Sequence, residues 1–568
     1  MKNRRLGGWQ FCPDQGRSGQ ISFARTRSRG VISIMRTSKR GDMKMGNLNK
    51  HILQSGVSRR SILQGAAAIG GAAVAGQFAI GPAAAQPKKG GTFRVGIAAG
   101  NTSENYDPGT WDNVFVQVFA TSRHGYLIEI TADGTLVGEV AESWEPSPDA
   151  TVWTFKIRPG IEYHSGGTVK PEDVVASINY HRGENSTSAA KPFVDPIKDI
   201  SVDGDSVVFT LEAGNADFPF VVSDYHLPIM KSSDGKIDPT SSDGCGPYKV
   251  TNYQPGVIAE LTRNENYWKT DRAHFDDVKL LTIVDPAARQ SALLTGNVDV
   301  IDQVDLKTVG LFKRSPNVTI LSTTGTQHYT FAMDTRTAPF SDNNVRMALK
   351  YAVDRQELVD KILFGYGAVG NDHPISPSNR FFADDLEQTT YDPDKSKYYL
   401  KQAGLDSLDV SLSAADAAFG GAVDAAVLYS NSASKAGINI KPTREPNDGY
   451  WSDVWMKKPF CAVYWGGRPT EDWMFSVAYA SGAPWNDTYW ENERFNQLLK
   501  TARSELDETK RADMYREMQN LVRTDGGVII PMFASYVMAH NEKVQHPEKV
   551  AANWTLDGFR AVERWWFA

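Results

Sequence analysis

The chain has 568 residues, with 61 Lys and Arg against 67 Asp and Glu and a net charge of −6. The charge is uneven, because residues 1–85 hold 14 basic and two acidic residues while the other 483 residues carry a net charge of −18. A segment this acidic argues against nucleic acid or an anionic membrane surface as a partner, and its length predicts roughly three domain-sized units with large cores.

Residues 1–85 contain the successive regions of an export signal, namely a basic region, an apolar region and a cleavage site. The sequence "SRRSIL" at 58–63 is a twin-arginine motif, in which Arg59 and Arg60 are the defining pair. A Gly/Ala-rich apolar stretch follows at 65–81. This stretch has too many glycines for a convincing retained membrane helix. We therefore expect a signal peptide that is removed after export to the periplasm.

An A-x-A site predicts cleavage between Ala85 and Gln86. No cysteine lies near this site, so we expect a protein without a lipid anchor. The sequence before Met43 fits no part of such a signal. Met1, Met43 and Met45 therefore stay open as translation starts.

The rest of the chain mixes strand and helix patterns throughout. Apolar alternation predicts strands at 90–98, 151–160 and 203–211. Helices are predicted where Pro follows a polar residue, or where apolar residues recur every 3.6 positions, at 170–182, 285–296, 342–365, 392–404 and 493–523. The predicted class is α/β with several mixed sheets.

Aromatic residues are concentrated late in the chain. Of the 41 residues at 450–490, 12 are aromatic, against 11% of the whole chain. Rigid aromatic faces bind small organic ligands at low entropic cost. Within this stretch, "YWGGRPTEDW" gives Arg468 two acidic neighbours, Glu471 and Asp472. Arg468 could form an internal salt bridge with one of them or bind a ligand, and the sequence leaves both open.

Several motifs that mark enzymes and metal sites are missing from the sequence. It contains no H-E-x-x-H, G-x-x-x-x-G-K, G-x-S-x-G or zinc-type Cys/His spacing. We therefore expect no catalysis, no cofactor and no metal. Cys245 and Cys461 follow the signal, and whether they pair stays open.

Five segments, in this order and spacing, carry a family resemblance. They are the block from Leu136 to Ile178, "GCGPYKV", "NENYWK", "LTGNVDVID" and "PFSDNNVRMALKYAVDRQELV". Over about 90–545 the chain resembles the extracytoplasmic solute-binding proteins of peptide, oligopeptide and nickel ABC transporters, family 5. Each segment is weakly specific alone, and their combination is highly specific.

The resemblance implies a two-lobed periplasmic-binding-protein fold with mixed sheets, a hinge between the lobes and an enlarged first lobe in two parts. On this chain, lobe I is expected at 88–325 and 535–568, and lobe II at 326–534. The implied partners are a small-molecule or peptide ligand and an inner-membrane ABC permease. We expect a monomer.

The resemblance also implies site residues in the second lobe. A tryptophan at the position of Trp465 touches ligand in peptide-binding relatives. Well-known peptide binders carry Asp where this chain has Arg468. Another branch shares Trp465, Gly467, Arg468 and Asp472 but differs at Thr470 and Glu471. An arginine suits a ligand carboxylate. Asp472 would then bind a ligand ammonium or orient Arg468.

Four further residues are ligand candidates by their place in the family layout. His328 and Tyr329 begin the second lobe near the hinge, where a hydrogen-bonded wall residue is the alternative. Glu104 and Tyr106 follow the first strand, where the first lobe of the family meets ligand.

The resulting hypothesis is the periplasmic solute-binding component of an ABC transporter for peptides or peptide-like, carboxylate-bearing solutes. Two alternatives remain open, namely a secreted peptide hydrolase and a chaperone-like binder on the same scaffold.

Overall fold

The computed structural model describes residues 87–568, which form one large mixed sheet, a second four-stranded sheet and surrounding helices. The predictions at Arg59, Arg60, Ala85 and Gln86 lie outside the described residues. The strands are β1 Thr92–Ile97, β2 Ile128–Ile130, β3 Leu136–Gly138, β4 Ala141–Pro146, β5 Val152–Ile157, β6 Ile197–Asp203, β7 Ser206–Leu211, β8 Ser232–Ser233, β9 Lys236–Ile237, β10 Tyr248–Gln254, β11 Ile258–Arg263, β12 Asp277–Thr282, β13 Val300–Ile301, β14 Val318–Met333, β15 Gly367–Val369, β16 Leu408–Ala414, β17 Ile438–Arg444, β18 Phe460–Trp465, β19 Val528–Asn541, β20 Val544–Gln545 and β21 Trp566–Phe567.

The helices are mostly short, and several begin at proline. They are α1 Val114–Arg123, α2 Pro171–Tyr180, α3 Lys191–Val194, α4 Phe218–Val221, α5 Pro286–Leu294, α6 Val309–Phe312, α7 Asn343–Tyr351, α8 Arg355–Ile362, α9 Pro393–Gln402, α10 Ala422–Ser434, α11 Tyr450–Asp453, α12 Glu471–Ala478, α13 Glu493–Ser504, α14 Glu508–Asp525, α15 Thr555–Gly558 and α16 Ala561–Arg564. None of the helices within 87–568 combines the length and apolar character needed to cross a membrane.

Capping explains where the predicted helices begin. The Asp285 side chain accepts from the amide of Ala288 at 2.7 Å at the start of α5, and Asp392 accepts from that of Lys395 at 2.8 Å at the start of α9. The prediction of one continuous helix over 342–365 is wrong. Asp354 interrupts it, because its side chain accepts from the amide of Glu357 at 3.0 Å and caps a new helix, α8.

The large sheet runs in the order β10-β11-β12-β1-β13-β19-β14-β18-β16-β17, and β15 also pairs with β19. β1 lies parallel to β12 and β13, whereas β14 and β19 are antiparallel. A separate sheet has the order β4-β5-β7-β6. The predicted α/β class with mixed sheets is confirmed.

The long strands β14 and β19 connect the two halves of the large sheet. The first part of β14 pairs with the last part of β19, from Val318 with Asn541 to Thr324 with Ser535. The ladder is interrupted between Thr324 and His328 and then resumes. Beyond the interruption, β14 also pairs with β18.

The buried apolar side chains form separate clusters on the two sides of this interruption. The largest cluster draws its members from residues 331–534. The others draw theirs from residues 93–312 and 537–565. The space that lies between these two groups of clusters contains the cavities described next.

Candidate functional site

A cavity of about 900 Å³ lies between the two groups of clusters. We call it the charged cavity, because its lining includes Asp133, Asp217, Glu471, Glu508, Arg380, Arg468, Arg511 and Lys549. Several of these charges compensate each other. Arg511 pairs with Asp217, and Arg380 pairs with Glu508. Arg468, by contrast, has no acidic partner within the described chain, which makes it a candidate for a ligand carboxylate.

A second cavity of about 460 Å³ lies nearer the long strands. We call it the neutral cavity, because its lining carries no charged side chain and consists of Val114, Gln117, Gln303, Val304, Leu306, Gln327, Tyr329, Leu363, Tyr366, Gly466, Gly467, Ala534, Ser535, Tyr536, Val537, Trp554, Thr555 and Phe559. A narrow space of about 40 Å³ shares Pro469 and Asn553 with the charged cavity and Trp554 and Phe559 with the neutral one. The cleft therefore offers both an ionic and an uncharged environment to a ligand.

Arg468 lies in the loop between β18 and α12. Its Nη1 donates to the carbonyl oxygens of Gly466 at 3.0 Å and Gly467 at 3.1 Å. Burial lowers the pKa of Arg468, although Tyr225 and Tyr464 oppose this effect. A half-buried guanidinium with only carbonyl acceptors keeps donors available for an anion. The internal salt bridge that the sequence left open is not formed.

Glu471 and Asp472 begin α12 and point to different partners. Oε1 of Glu471 accepts from the amide of Phe381 at 2.7 Å, and burial raises the pKa of this carboxyl to about 7. Asp472 accepts from Nε of Arg503 at 3.2 Å and lies near Ser476. The alternative in which Asp472 orients Arg468 is therefore wrong, because Arg503 occupies that carboxylate.

Trp465 is the last residue of β18 and is 6% exposed. Its ring lies 6.4 Å from that of Trp455 and 6.5 Å from that of Trp485. These aromatics belong to or pack against the largest core cluster, except Trp485, which is 41% exposed. Trp465 lies outside the linings of both cavities, and its contact with ligand stays a prediction.

Most of the residues described above lie in a part of the chain that matches a known protein family. A model of the bacterial extracellular solute-binding proteins, family 5 (middle region), matches residues 135–487. The chain belongs to this family. As a family 5 solute-binding protein it binds a solute, which favours the binding hypothesis over the hydrolase alternative.

Individual family 5 relatives are distant. Heme-binding protein A of Haemophilus influenzae is 28% identical over 315 residues, which are 50% of this chain and only 57% of that protein. Di/tripeptide-binding protein 2 of Pseudomonas aeruginosa is 24% identical over 483 residues, 77% of this chain and 88% of that protein. The solved structure of HbpA2 from Haemophilus parasuis has 20% identity and a TM-score of 0.73, covering 82% of this chain and 99% of that one. This last similarity supports the two-lobed fold.

His328 and Tyr329 lie side by side on β14, beyond the interruption in its ladder. His328 is fully buried, shares a hydrogen bond of 3.0 Å between Nδ1 and the carbonyl of Thr326, and has its pKa lowered to about 4 by burial. Tyr329 lines the neutral cavity and stacks on Phe419 at 4.2 Å between ring centroids. Of the pair, Tyr329 is therefore the one with a surface open to a ligand.

Glu104 and Tyr106 lie in the loop after β1 and outside both cavity linings. Oε1 of Glu104 accepts from the side chain of Asn113 at 2.9 Å, and Oε2 accepts from the amide of Gly256 at 3.3 Å. The ring of Tyr106 lies 5.2 Å from that of Tyr253 and 4.8 Å from the guanidinium carbon of Arg123. These contacts tie the loop together, and a role in ligand binding stays a prediction for both residues.

Three buried carboxylates, Glu129, Glu139 and Glu563, lie close enough together to resemble a metal site. Nζ of Lys269 donates to all three, at 2.7, 3.0 and 3.0 Å. Arg560 also donates to Glu139, at 2.7 Å. The cations already neutralise this cluster, so it is a buried ion-pair network of the fold.

Cys245 and Cys461 are both buried and free. They belong to different core clusters, Cys245 among residues 127–245 and Cys461 among residues 331–534. The sequence left open whether these cysteines pair, and in the structure they are two separate thiols.

Sequence reasoning missed Asp217, Arg511, Arg380 and Lys549 in the lining of the charged cavity. The sequence around each of them has the polar pattern typical of a protein surface. They come together in the cavity lining only because distant segments of the chain lie next to each other. The sequence indicates Glu471 only as a possible partner of Arg468, whereas the structure places it in the cavity lining. Glu471 and Asp472 are adjacent in the sequence, and nothing in their local pattern indicates that Glu471 lines the cavity while Asp472 binds Arg503.

Proposed function

We propose that this solute-binding protein acts in the periplasm as the receptor of an ABC transporter and captures a small, peptide-like, carboxylate-bearing solute between its lobes. The observation that carries the proposal is Arg468, a guanidinium that lines the charged cavity and has carbonyl acceptors but no acidic partner among residues 87–568. Such a group can bind a carboxylate through two parallel, charge-assisted hydrogen bonds.

The capture step requires two lobes that move. We take lobe I as 88–325 with 535–568 and lobe II as 326–534. The separate hydrophobic clusters and the interrupted ladder between β14 and β19 support this division. The long strands then form the hinge, and a solute that binds both lobes shifts the population toward the closed form that the permease recognises.

Glu471 could accept a hydrogen bond from a donor or an ammonium group of the solute, so we expect the solute to carry such a group. Glu471 lines the same cavity as Arg468, and its hydrogen bond to the amide of Phe381 uses Oε1. Asp472 is a weaker candidate for this role, because Arg503 already binds it. The twin-arginine motif at Arg59 and Arg60 supports export to the periplasm, where we expect the protein to act as a monomer.

A retention experiment tests the proposal. Purified protein is incubated with a defined mixture of di- to pentapeptides, separated from free peptides, denatured and analysed by mass spectrometry. We expect stoichiometric retention of particular peptides, unchanged in mass. Arg468→Ala should lose them, whereas Arg516→Ala should not, because Arg516 is an exposed residue paired with Asp385.

The alternatives predict different products. Accumulation of shorter peptides in solution would support the hydrolase. Loose, substoichiometric binding of unfolded polypeptide without a retained small solute would support the chaperone-like binder.

A further inference from the structure

The two proposed lobes meet at a second place, away from the long strands. There, the segment that leads into α4 in lobe I contacts the end of α13 and the start of α14 in lobe II. Oδ1 of Asp217 lies 2.7 Å from Nη2 of Arg511, and their side chains are 7% and 3% exposed. This pair is a buried ion pair between residues of different lobes.

Neighbouring contacts surround the pair. The amide of Ala216 donates to the carbonyl of Arg503 at 2.7 Å, which is a backbone hydrogen bond between the lobes. Leu506 packs against the lobe I cluster of residues 127–245. The rings of Phe193 and Trp473 meet edge to face with centroids 4.5 Å apart. All these contacts must break when the lobes separate.

Arg511 is held ready for this contact by its own lobe. Its Nε donates to the carbonyl of Ala502 at 3.2 Å, and its Nη2 lies 3.4 Å from the hydroxyl of Tyr515. Burial alone would lower the pKa of Arg511, but Asp217 and Tyr515 raise it above its ordinary value. The guanidinium therefore stays charged and needs an anion whenever it is buried.

The energy of such a pair depends on whether the lobes are open or closed. In an open form, water solvates both charges. In the closed form each charge compensates the other, and removing one partner leaves the other buried and unpaired, which is strongly unfavourable. Neutralising both partners is far less unfavourable, because no unpaired charge remains.

We propose that Asp217 and Arg511 form an interlobe latch that stabilises the closed form and so sets the closed fraction of the ligand-free protein. This inference rests on the proposed lobe movement. It goes beyond solute recognition, since the latch acts through residues of the protein alone.

Hydrogen exchange combined with small-angle X-ray scattering tests the latch. The protein is freed of solute by unfolding and refolding, and the variants are Asp217→Asn, Arg511→Gln and the double variant. Exchange is measured on peptides that contain Ala216, because its amide bonds to Arg503 only when the lobes are together. Asp385→Asn is the matched control, because Asp385 forms an exposed pair with Arg516 inside lobe II.

We expect slow exchange at Ala216 in the wild type and on the order of 10- to 100-fold faster exchange in each single variant, with an increased radius of gyration. The double variant should lie closer to the wild type than either single variant, and the control should match the wild type. Equally fast exchange at Ala216 in the wild type and single variants overturns the latch. Faster exchange without a change in the radius of gyration also overturns it, because it indicates local loosening.

These outcomes are separate from the proposed function. Retention of solute by Arg468 is measured by mass spectrometry and can succeed when the latch fails. Conversely, an intact latch in a protein that retains no solute would count against the proposed function only.

Discussion

Asp472 accepts from Nε of Arg503 at 3.2 Å, although Arg468 lies only four residues before it in the sequence. The pairing engages the Asp472 carboxylate with Arg503 instead of Arg468. Arg468 is left with the carbonyl oxygens of Gly466 and Gly467 and a position in the lining of the charged cavity. The sequence offers Arg468 two acidic neighbours, yet it pairs with neither, and this supports the proposal that it binds an external anion.

The first prediction concerns the affinity for that anion. Replacing Arg468 with Ala should leave a buried ligand carboxylate unpaired and cost on the order of 2–5 kcal/mol, or about 30- to several-thousand-fold in affinity. Arg468→Lys should recover only part of the loss, since an ammonium cannot form two parallel bonds. Calorimetric titration measures the affinity, and a thermal melt measures the fold. A lower melting temperature with unchanged affinity would show a structural role instead.

The second prediction concerns pH and Glu471, whose pKa burial raises from 4.5 to about 7. Between these pH values Glu471 keeps its proton in the folded protein but has lost it in the unfolded chain. Ionisation of Glu471 in the folded state is therefore unfavourable, and the free energy of unfolding decreases as the pH rises from about 4.5 to 7. The effect is on the order of 3 kcal/mol. Glu471→Gln should abolish this contribution and keep the acceptor for the amide of Phe381.

Urea denaturation at two pH values checks this prediction. At pH 8 the Glu471→Gln variant should be more stable than the wild type, and at pH 4.5 the two should be similar. Asp472→Asn is the comparison, because the pKa of Asp472 is raised only to about 6, mainly by burial against the opposing effect of Arg503. A stability difference between Glu471→Gln and the wild type that does not change with pH would contradict the assignment.

The third prediction concerns the close contact between Gly467 and β14. A Cβ atom on Gly467 would collide with the side chain of Thr326, whereas a Cβ on Gly466 would meet its nearest neighbour, Arg468, at 3.7 Å. Gly467→Ala should therefore destabilise the protein by about 1–3 kcal/mol through overpacking, while Gly466→Ala should be nearly neutral. Equal melting temperatures for the two variants would show that the loop moves freely.

The fourth prediction concerns the two cysteines. Burial raises the pKa of Cys245 to about 12, and that of Cys461 above its ordinary value. Both thiols should therefore react slowly with a thiol reagent in the native protein and both should react after denaturation. The measurement is a thiol count on exported protein, with and without denaturant and without reductant. A count of zero after denaturation would reveal a disulfide.

The fifth prediction concerns export. The double variant Arg59→Lys with Arg60→Lys should lower the periplasmic level of the protein, because the twin-arginine pathway recognises the arginine pair. The exported wild type should begin at Gln86. Unchanged periplasmic levels in the variant would contradict the twin-arginine interpretation, and an N-terminus well before Gln86 would contradict the cleavage site.

Local signals in the sequence were sufficient for much of the fold. Asp285 and Asp392, each followed by proline, marked the starts of α5 and α9, because capping depends on residues three positions apart. The same physics explains the error at Asp354. An apolar rhythm continues through it, but α7 ends at Tyr351 and the Asp354 side chain caps the start of α8.

The site was harder to predict, because its contacts join residues that lie far apart in the sequence. The sequence drew attention to Arg468, which does line the charged cavity. It could not reveal that Asp472 binds Arg503, or that Asp217 pairs with Arg511 from a distant part of the chain. Aromatic density around Trp465 indicated a ligand cleft, yet that ring packs among other tryptophans, since aromatic side chains fill cores as readily as they line binding sites.

Capture of a carboxylate-bearing solute by Arg468 can be measured by native mass spectrometry of protein purified without denaturation, with the wild type and Arg468→Ala prepared side by side. We expect that the wild type carries one small carboxylate-bearing solute per chain, that denaturation releases this solute unchanged, and that the variant is largely empty. The same solute occupancy in both proteins, or a wild type without any bound solute, would contradict this expectation.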